Sequence, residues 1–232
     1  MKNKIEIPED YKDKIHKAGF NLLPPKFIEG YLHIILPLTD FIKTLNINPN
    51  TLTTLGTILT VVGAIFFALS YLRLGGIFIV LGAVCDTMDG RIAKDGDKKT
   101  KFGALYDSVM DRYSEFIMFF GIAIHFVRND AYWSSVGIFA AVGGSVMVSY
   151  VRARAEGLGF ECNIGMMQRP ERIAYISVGS IIGELPIINE LFLILAIWVI
   201  AILSNVTALQ RLIHVYKASK KMSEDIAVNV DN

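Results

Sequence analysis

Residues 86–111 read DTMDGRIAKDGDKKTKFGALYDSVMD, and this stretch decides what kind of protein the chain is. Four carboxylates, Asp86, Asp89, Asp107 and Asp111, stand at the ends of two apolar runs that are otherwise long enough to cross a membrane. A carboxylate at such a depth costs a few kcal/mol or more unless something compensates it, so each is a candidate functional residue. Four together suggest a metal site.

The rest of the chain supports a membrane setting. Of its 232 residues 53% are hydrophobic and 19% charged, with a mean hydropathy of +0.44, too apolar for an ordinary soluble domain. The two cysteines, Cys85 and Cys162, are too few and wrongly spaced for a disulfide framework or a zinc site. Repeats of 20–50 residues and low-complexity tracts are absent from the sequence. The first residues lack the charge and cleavage pattern of a signal peptide, so the first apolar span is expected to stay in the mature protein.

Residues 1–45 are expected to form an N-terminal interfacial segment. Charges alternate there with Ile15, Ala18, Phe20, Leu22 and Leu23 ahead of Pro24 and Pro25, a pattern suited to a helix lying on a membrane surface or to a solvated tail. The stretch from Phe27 to Leu45 is interrupted by Pro37 and Asp40 and reads as interfacial. Pro49 stops that element, and Asn50 or Thr51 can cap the next helix.

Residues 46–214 then offer six apolar segments, about 52–72, 75–93, 103–127, 132–154, 172–188 and 190–213, each near the ~20 residues a bilayer requires. The expectation is an all-α integral membrane bundle of six transmembrane helices, with residues 215–232 as a cytoplasmic tail. Lysine and arginine favour one side by about twenty to two, the exceptions being Arg73 and Arg128. Under the positive-inside rule both termini and the acidic stretch face the cytoplasm, in a multi-pass protein of the cell (inner, cytoplasmic) membrane.

Helical spacing gives the acids a geometry. Asp86 and Asp89 lie three apart, and Gly103, Asp107 and Asp111 follow at intervals of four, so each set stacks on one helix face. A short polar loop lets the two helices run back antiparallel, and the acidic faces converge. Such a group of hard oxygen ligands suits Mg2+, Mn2+ or Ca2+, and two ions would neutralise it. Gly90 and Gly103 leave room for a ligand to approach the backbone. The arrangement suits a diphosphate bridged by metal.

The pattern Asp86-x2-Asp89-Gly90-x2-Ala93-Lys94-x8-Gly103-x3-Asp107-x3-Asp111 resembles the signature of the CDP-alcohol phosphotransferases, membrane enzymes of phospholipid synthesis. That signature has arginine where Lys94 stands, a change that keeps the charge and loses the bidentate fork. The resemblance implies a six-helix homodimer that transfers a phosphatidyl group from CDP-diacylglycerol to an alcohol and releases CMP. It implies two Mg2+ or Mn2+ ions held by Asp86, Asp89, Asp107 and Asp111, with Asp111 as general base. Gly90, Ala93, Lys94 and Gly103 would line the CDP site, and Asn50 and Thr53 would touch the nucleotide.

The acceptor is read elsewhere. Arg152, Arg154, Arg172 and Arg211 all fall near the expected cytoplasmic surface and suit an acceptor carrying its own phosphate, although anchoring to lipid phosphates explains any one of them. The runs SYVRARAE and RPERI resemble the prokaryotic phosphatidylinositol phosphate synthase branch, which implies inositol 1-phosphate; glycerol 3-phosphate, giving phosphatidylglycerol phosphate, is the alternative. Membrane lipids and a second copy are the expected partners, and nucleic acid is not. Intramembrane acids also mark ion or proton transporters, but those place acids near the midplane within inverted repeats. His33, His125 and His214 are expected to be interfacial or packed, and Asp95 and Asp97 solvated.

Overall fold

The computed structural model describes residues 25–95, 100–183 and 190–230, and among these the chain forms seven helices and no strands. In chain order they are α1 (Pro25–Thr44), α2 (Pro49–Ala68), α3 (Leu72–Asp95), α4 (Lys101–Arg128), α5 (Tyr132–Gly157), α6 (Arg169–Gly183) and α7 (Leu191–Val230). The predicted surface segment around Phe20 and the loop carrying Asp97 lie outside the described residues.

Local chemistry sets several of these boundaries. The cap of α2 is Asn48 and not Asn50 or Thr51: its side chain accepts from the Asn50 N–H at 2.9 Å, and Pro49 opens the helix where no donor is needed. Thr100 caps α4 by accepting from the Gly103 N–H at 2.8 Å. The last helix continues to Val230, well past residue 213 where the apolar pattern ends.

Three helices, α2, α5 and the Leu191–Ser223 part of α7, are long and apolar enough to cross a membrane. Six were expected, and the other three candidates differ from these among the described residues. The carboxylates and basic residues of α3 and α4 dilute their apolar character, and the 15 residues of α6 extend only about 22 Å against a hydrocarbon core of about 30 Å.

The bundle packs through narrow stripes. Buried positions on α2 are Leu52, Thr53, Gly56, Thr60, Gly63, Ala64 and Phe67, the spacing of one helix face. That face meets α3 and α4. Gly56 and Gly82 let α2 and α3 nearly touch: a Cβ on Gly82 would lie 2.7 Å from Thr60 Oγ1 and 2.9 Å from the Gly56 carbonyl oxygen. On the other side α6 packs on α3 and α7, and α5 lies along α7. Phe67, Met118, Phe119, Ile122, Ile176 and Ile197 belong to the apolar core among them.

The two ends of the bundle differ. At the end holding the α2–α3 turn, buried His125 lies between Ser70 Oγ at 2.9 Å and Glu190 Oε2 at 3.0 Å, joining three connections. At the opposite end α1 rests on α3. There Ile35, Leu52, Met88 and Ile92 form a second small core, and Tyr31 shares a 2.8 Å hydrogen bond with Thr87. Lys43 joins Asp40 at 2.9 Å and Asp95 at 2.7 Å, while Arg91 Nε lies 3.5 Å from Asp95. Asp95, expected to be solvated, therefore ties α1 to α3. The outer side of α1 exposes Ile34, Leu38 and Phe41, in keeping with an interfacial position.

Candidate active site

The acidic site forms where the last turns of α3 face the first turns of α4. Asp86, Asp89 and Asp107 each offer a carboxylate oxygen within 4.8 Å of the others. An octahedral ion with bonds of about 2.1 Å holds its ligand oxygens roughly 3–4 Å apart, so small side-chain adjustments suffice for these three to bind Mg2+ or Mn2+. The donor set is all oxygen, as those ions prefer.

Neighbouring side chains orient the acids. Asp89, only 3% exposed, accepts a hydrogen bond from Thr53 Oγ1 at 2.6 Å, so Thr53 reaches the site as the partner of an acid. Arg169, the first residue of α6, donates from Nη1 to both Asp86 oxygens at 2.9 Å and lies 2.7 Å from Asp111 Oδ1. One guanidinium thus joins the acidic faces of α3 and α4.

From Asp86, Asp111 and Arg169 a narrow crevice runs deeper into the bundle. Thr53, Thr57, Thr60, Ser114 and Glu115 give it a polar lining, and Ile79 and Met118 contribute apolar surface. Across it Arg172 grips Glu115 through Nε at 2.5 Å and Nη2 at 3.1 Å, and donates from Nη1 to the Met167 carbonyl at 3.1 Å. Arg172 and Glu115 are 1% and 7% exposed. This is a matched pair with its donors engaged.

The other expected site residues are distributed as follows. Gly90 faces open space, and a Cβ on Gly103 would lie 3.2 Å from Asn50 Oδ1, which brings Asn50 against the start of α4. Ala93 is half-buried and Lys94 exposed at the end of α3. Arg152 is exposed and pairs with Glu156 at 2.8 Å, and Arg154 is exposed one helical step away. Arg211 is buried and donates to the carbonyls of Ile164 at 2.7 Å and Val148 at 2.6 Å. The four arginines therefore have different surroundings: Arg172 and Arg211 are bound to the protein framework, Arg152 and Arg154 face outward.

Arg169, Glu115 and Arg112 are the charged residues at the site that the sequence reading did not name. Glu115 was accessible, because it continues the Asp107, Asp111 stripe by one more turn. Arg112 follows Asp111 and donates to Ser149 Oγ at 2.6 Å, linking α4 to α5. Arg169 opens the RPERI run, but nothing local marks it as a partner of Asp86, 83 positions away. Its place depends on the 158–168 connection being stitched to α7, where Met167 N–H donates to Thr207 Oγ1 at 3.1 Å. Gly165 allows this with a φ of +123°, a region other residues rarely adopt.

Comparison with known proteins agrees with this arrangement. The chain is 37% identical over 183 residues to the archaetidylinositol phosphate synthase of Pyrococcus horikoshii, covering 78% of this chain and 88% of that protein. It superposes on Mycobacterium tuberculosis phosphatidylinositol phosphate synthase with CDP-DAG bound at a TM-score of 0.71 and 27% identity, covering 79% of this chain and 94% of the other. The manganese and citrate complex of that same mycobacterial protein also gives 0.71, with 27% identity and coverages of 78% and 88%. Residues 46–216 match the CDP-alcohol phosphatidyltransferase family over most of the chain. This chain therefore belongs to the CDP-alcohol phosphatidyltransferase family of membrane enzymes, whose members use divalent metal.

Proposed function

We propose that the protein transfers a phosphatidyl group from CDP-diacylglycerol to a hydroxyl of inositol 1-phosphate, forming phosphatidylinositol phosphate and releasing CMP. The observation that carries the reading is the convergence of Asp86, Asp89 and Asp107 in a chain similar to inositol phosphate lipid synthases. In this reading residues 46–214 are the catalytic unit, six helices cross the membrane, and two copies associate. The lysine and arginine bias supports placing the acidic end and both termini in the cytoplasm, at the cell membrane.

The residues divide the chemistry. Asp86, Asp89, Asp107 and Asp111 would hold two Mg2+ or Mn2+ ions, which when bound neutralise the diphosphate and make CMP a better leaving group. Thr53 fixes the Asp89 carboxylate through its 2.6 Å hydrogen bond. Gly90, Ala93, Lys94, Gly103 and Asn50 border the space where the cytidine nucleotide lies. Asp111 accepts the proton of the attacking hydroxyl, which approaches the β-phosphorus opposite the departing CMP oxygen. Arg152 and Arg154, the outward-facing arginines, receive the acceptor phosphate. Arg172 and Arg211 shape the same end of the bundle from within.

Two measurements test the reading. CMP release from CDP-diacylglycerol should require Mg2+ or Mn2+ and fall at least ~100-fold in Asp107→Asn, since even second-layer metal partners cost 10–100-fold. Persistence of release in that variant would remove the metal assignment. Parallel assays with inositol 1-phosphate, glycerol 3-phosphate, free inositol and serine identify the acceptor, and turnover with glycerol 3-phosphate alone would replace inositol phosphate in the proposal.

A further inference from the structure

The four acids are not equivalent. Asp86, Asp89 and Asp107 present oxygens to one another, whereas Asp111 is engaged by Arg169. The same Arg169 Nη1 also spans both oxygens of Asp86. Its guanidinium lies where a second cation shared between Asp86 and Asp111 would have to lie.

We propose that Arg169 is an internal cation that holds the Asp86–Asp111 side of the site until the diphosphate donor arrives, so that the two metal positions fill in sequence. This rests on the proposed metal role of the four aspartates. The first position, built from Asp86, Asp89 and Asp107, is open to a divalent ion in the free protein. The second requires Asp111, and therefore requires Arg169 to withdraw.

Electrostatics explain the order. A divalent ion bonded at about 2.1 Å to the Asp86 and Asp111 oxygens would sit only a few ångströms from a guanidinium already in contact with them. Like charges at that separation repel strongly in a partly dry site. With one ion in place and Arg169 present, the acids have little remaining attraction for a second ion. A bound diphosphate adds negative charge and supplies oxygens to both ions and to the guanidinium. The balance then favours metal on Asp111 and Arg169 on a phosphate oxygen.

The local structure permits the movement. Arg169 is the first residue of α6, followed by Pro170, so its side chain can turn away without breaking a helix interior. Its Nε is buried without a hydrogen-bond partner, so contact with the acids is made through one end of the guanidinium. Arg172, one turn along, cannot replace it, because Glu115 and Met167 occupy its donors. Arg169 borders that crevice together with Asp86 and Asp111.

The test counts ions without using activity. Purified full-length protein in detergent is titrated with Mn2+, and free Mn2+ is followed by its paramagnetic resonance signal, with and without CDP-diacylglycerol. Wild type should bind one Mn2+ per chain without donor and two with it. Arg169→Gln should bind two without donor, the second at least ~10-fold tighter than in wild type, in line with the effect of residues that tune metal ligands. Arg169→Lys, which keeps the charge on a shorter, more strongly hydrated ammonium, should fall between them and serves if the glutamine variant does not fold. Two equal sites in donor-free wild type, or an unchanged second site in both variants, would overturn the proposal while leaving the metal assignment standing. Absence of Mn2+ binding to wild type with donor present would overturn both.

Discussion

One helical turn separates two ionic groupings with opposite character. Around Arg172 one glutamate meets the guanidinium in a two-pronged pair, with a backbone carbonyl taking another donor and Arg112 3.9 Å from the same carboxylate. Arg169 contacts two aspartates, Asp86 and Asp111, and Asp86 in turn lies beside Asp89 and Asp107. The first grouping is balanced and closed, the second carries surplus negative charge. Balance marks a framework that cross-links α4 to α6; surplus marks a place for a cation from outside. The two arginines sit three residues apart in Arg169-Pro-Glu-Arg172, so residue type cannot distinguish their roles.

This contrast can be broken in stages. Arg172→Ala leaves buried Glu115 with only Arg112, 3.9 Å away, and should destabilise the fold by up to about 3–5 kcal/mol, measurable as a fall in melting temperature in detergent. Replacing both partners together, Glu115→Leu with Arg172→Met, should restore most of that loss. If the single variant melts like wild type, the pair is not part of the framework.

Asp86→Asn should act in the opposite manner. It removes a metal ligand and a partner of Arg169, so CMP release should fall at least ~100-fold with little change in melting temperature. A variant that unfolds would place Asp86 in the framework with Glu115.

Smaller changes sharpen the same division. Thr53→Val removes the donor that aims Asp89, and should weaken Mn2+ binding about tenfold while leaving the bundle intact. Arg154→Ala should raise the acceptor KM about tenfold, the scale of one charge-assisted hydrogen bond, at unchanged Tm. Lys43→Ala cuts the exposed network between α1 and α3, and should cost no more than about 1 kcal/mol, because water screens such pairs. A larger loss there would mean that α1 braces the acidic end more firmly than its surface ion pairs explain.

The acidic stripes were legible because they follow from covalent geometry. Residues three or four apart on a helix share a face whatever surrounds it, so Asp86 with Asp89, and Asp107 with Asp111, could be aligned without coordinates. A short loop then made their approach nearly obligatory. Six spans were a weaker expectation, because the apolar runs of α3 and α4 carry charged residues that a bilayer core disfavours. The cap at Asn48 lies two or three residues before the expected Asn50 or Thr51, since neighbouring asparagines and threonines can each accept from a helix start. Arg172 and Arg211 read as phosphate ligands because exposure and partner choice are not local properties.

Taken alone, the sequence determined the membrane class, the two acidic faces and the resemblance that identifies the chemistry, all of them set by composition and short-range spacing. Only the tertiary structure decided which cation meets which acid. That choice joins residues up to 83 positions apart. It depends on how α6 starts, on the Thr207 hydrogen bond that fixes the preceding connection, and on Glu115 claiming Arg172 and leaving Arg169 to face the aspartates.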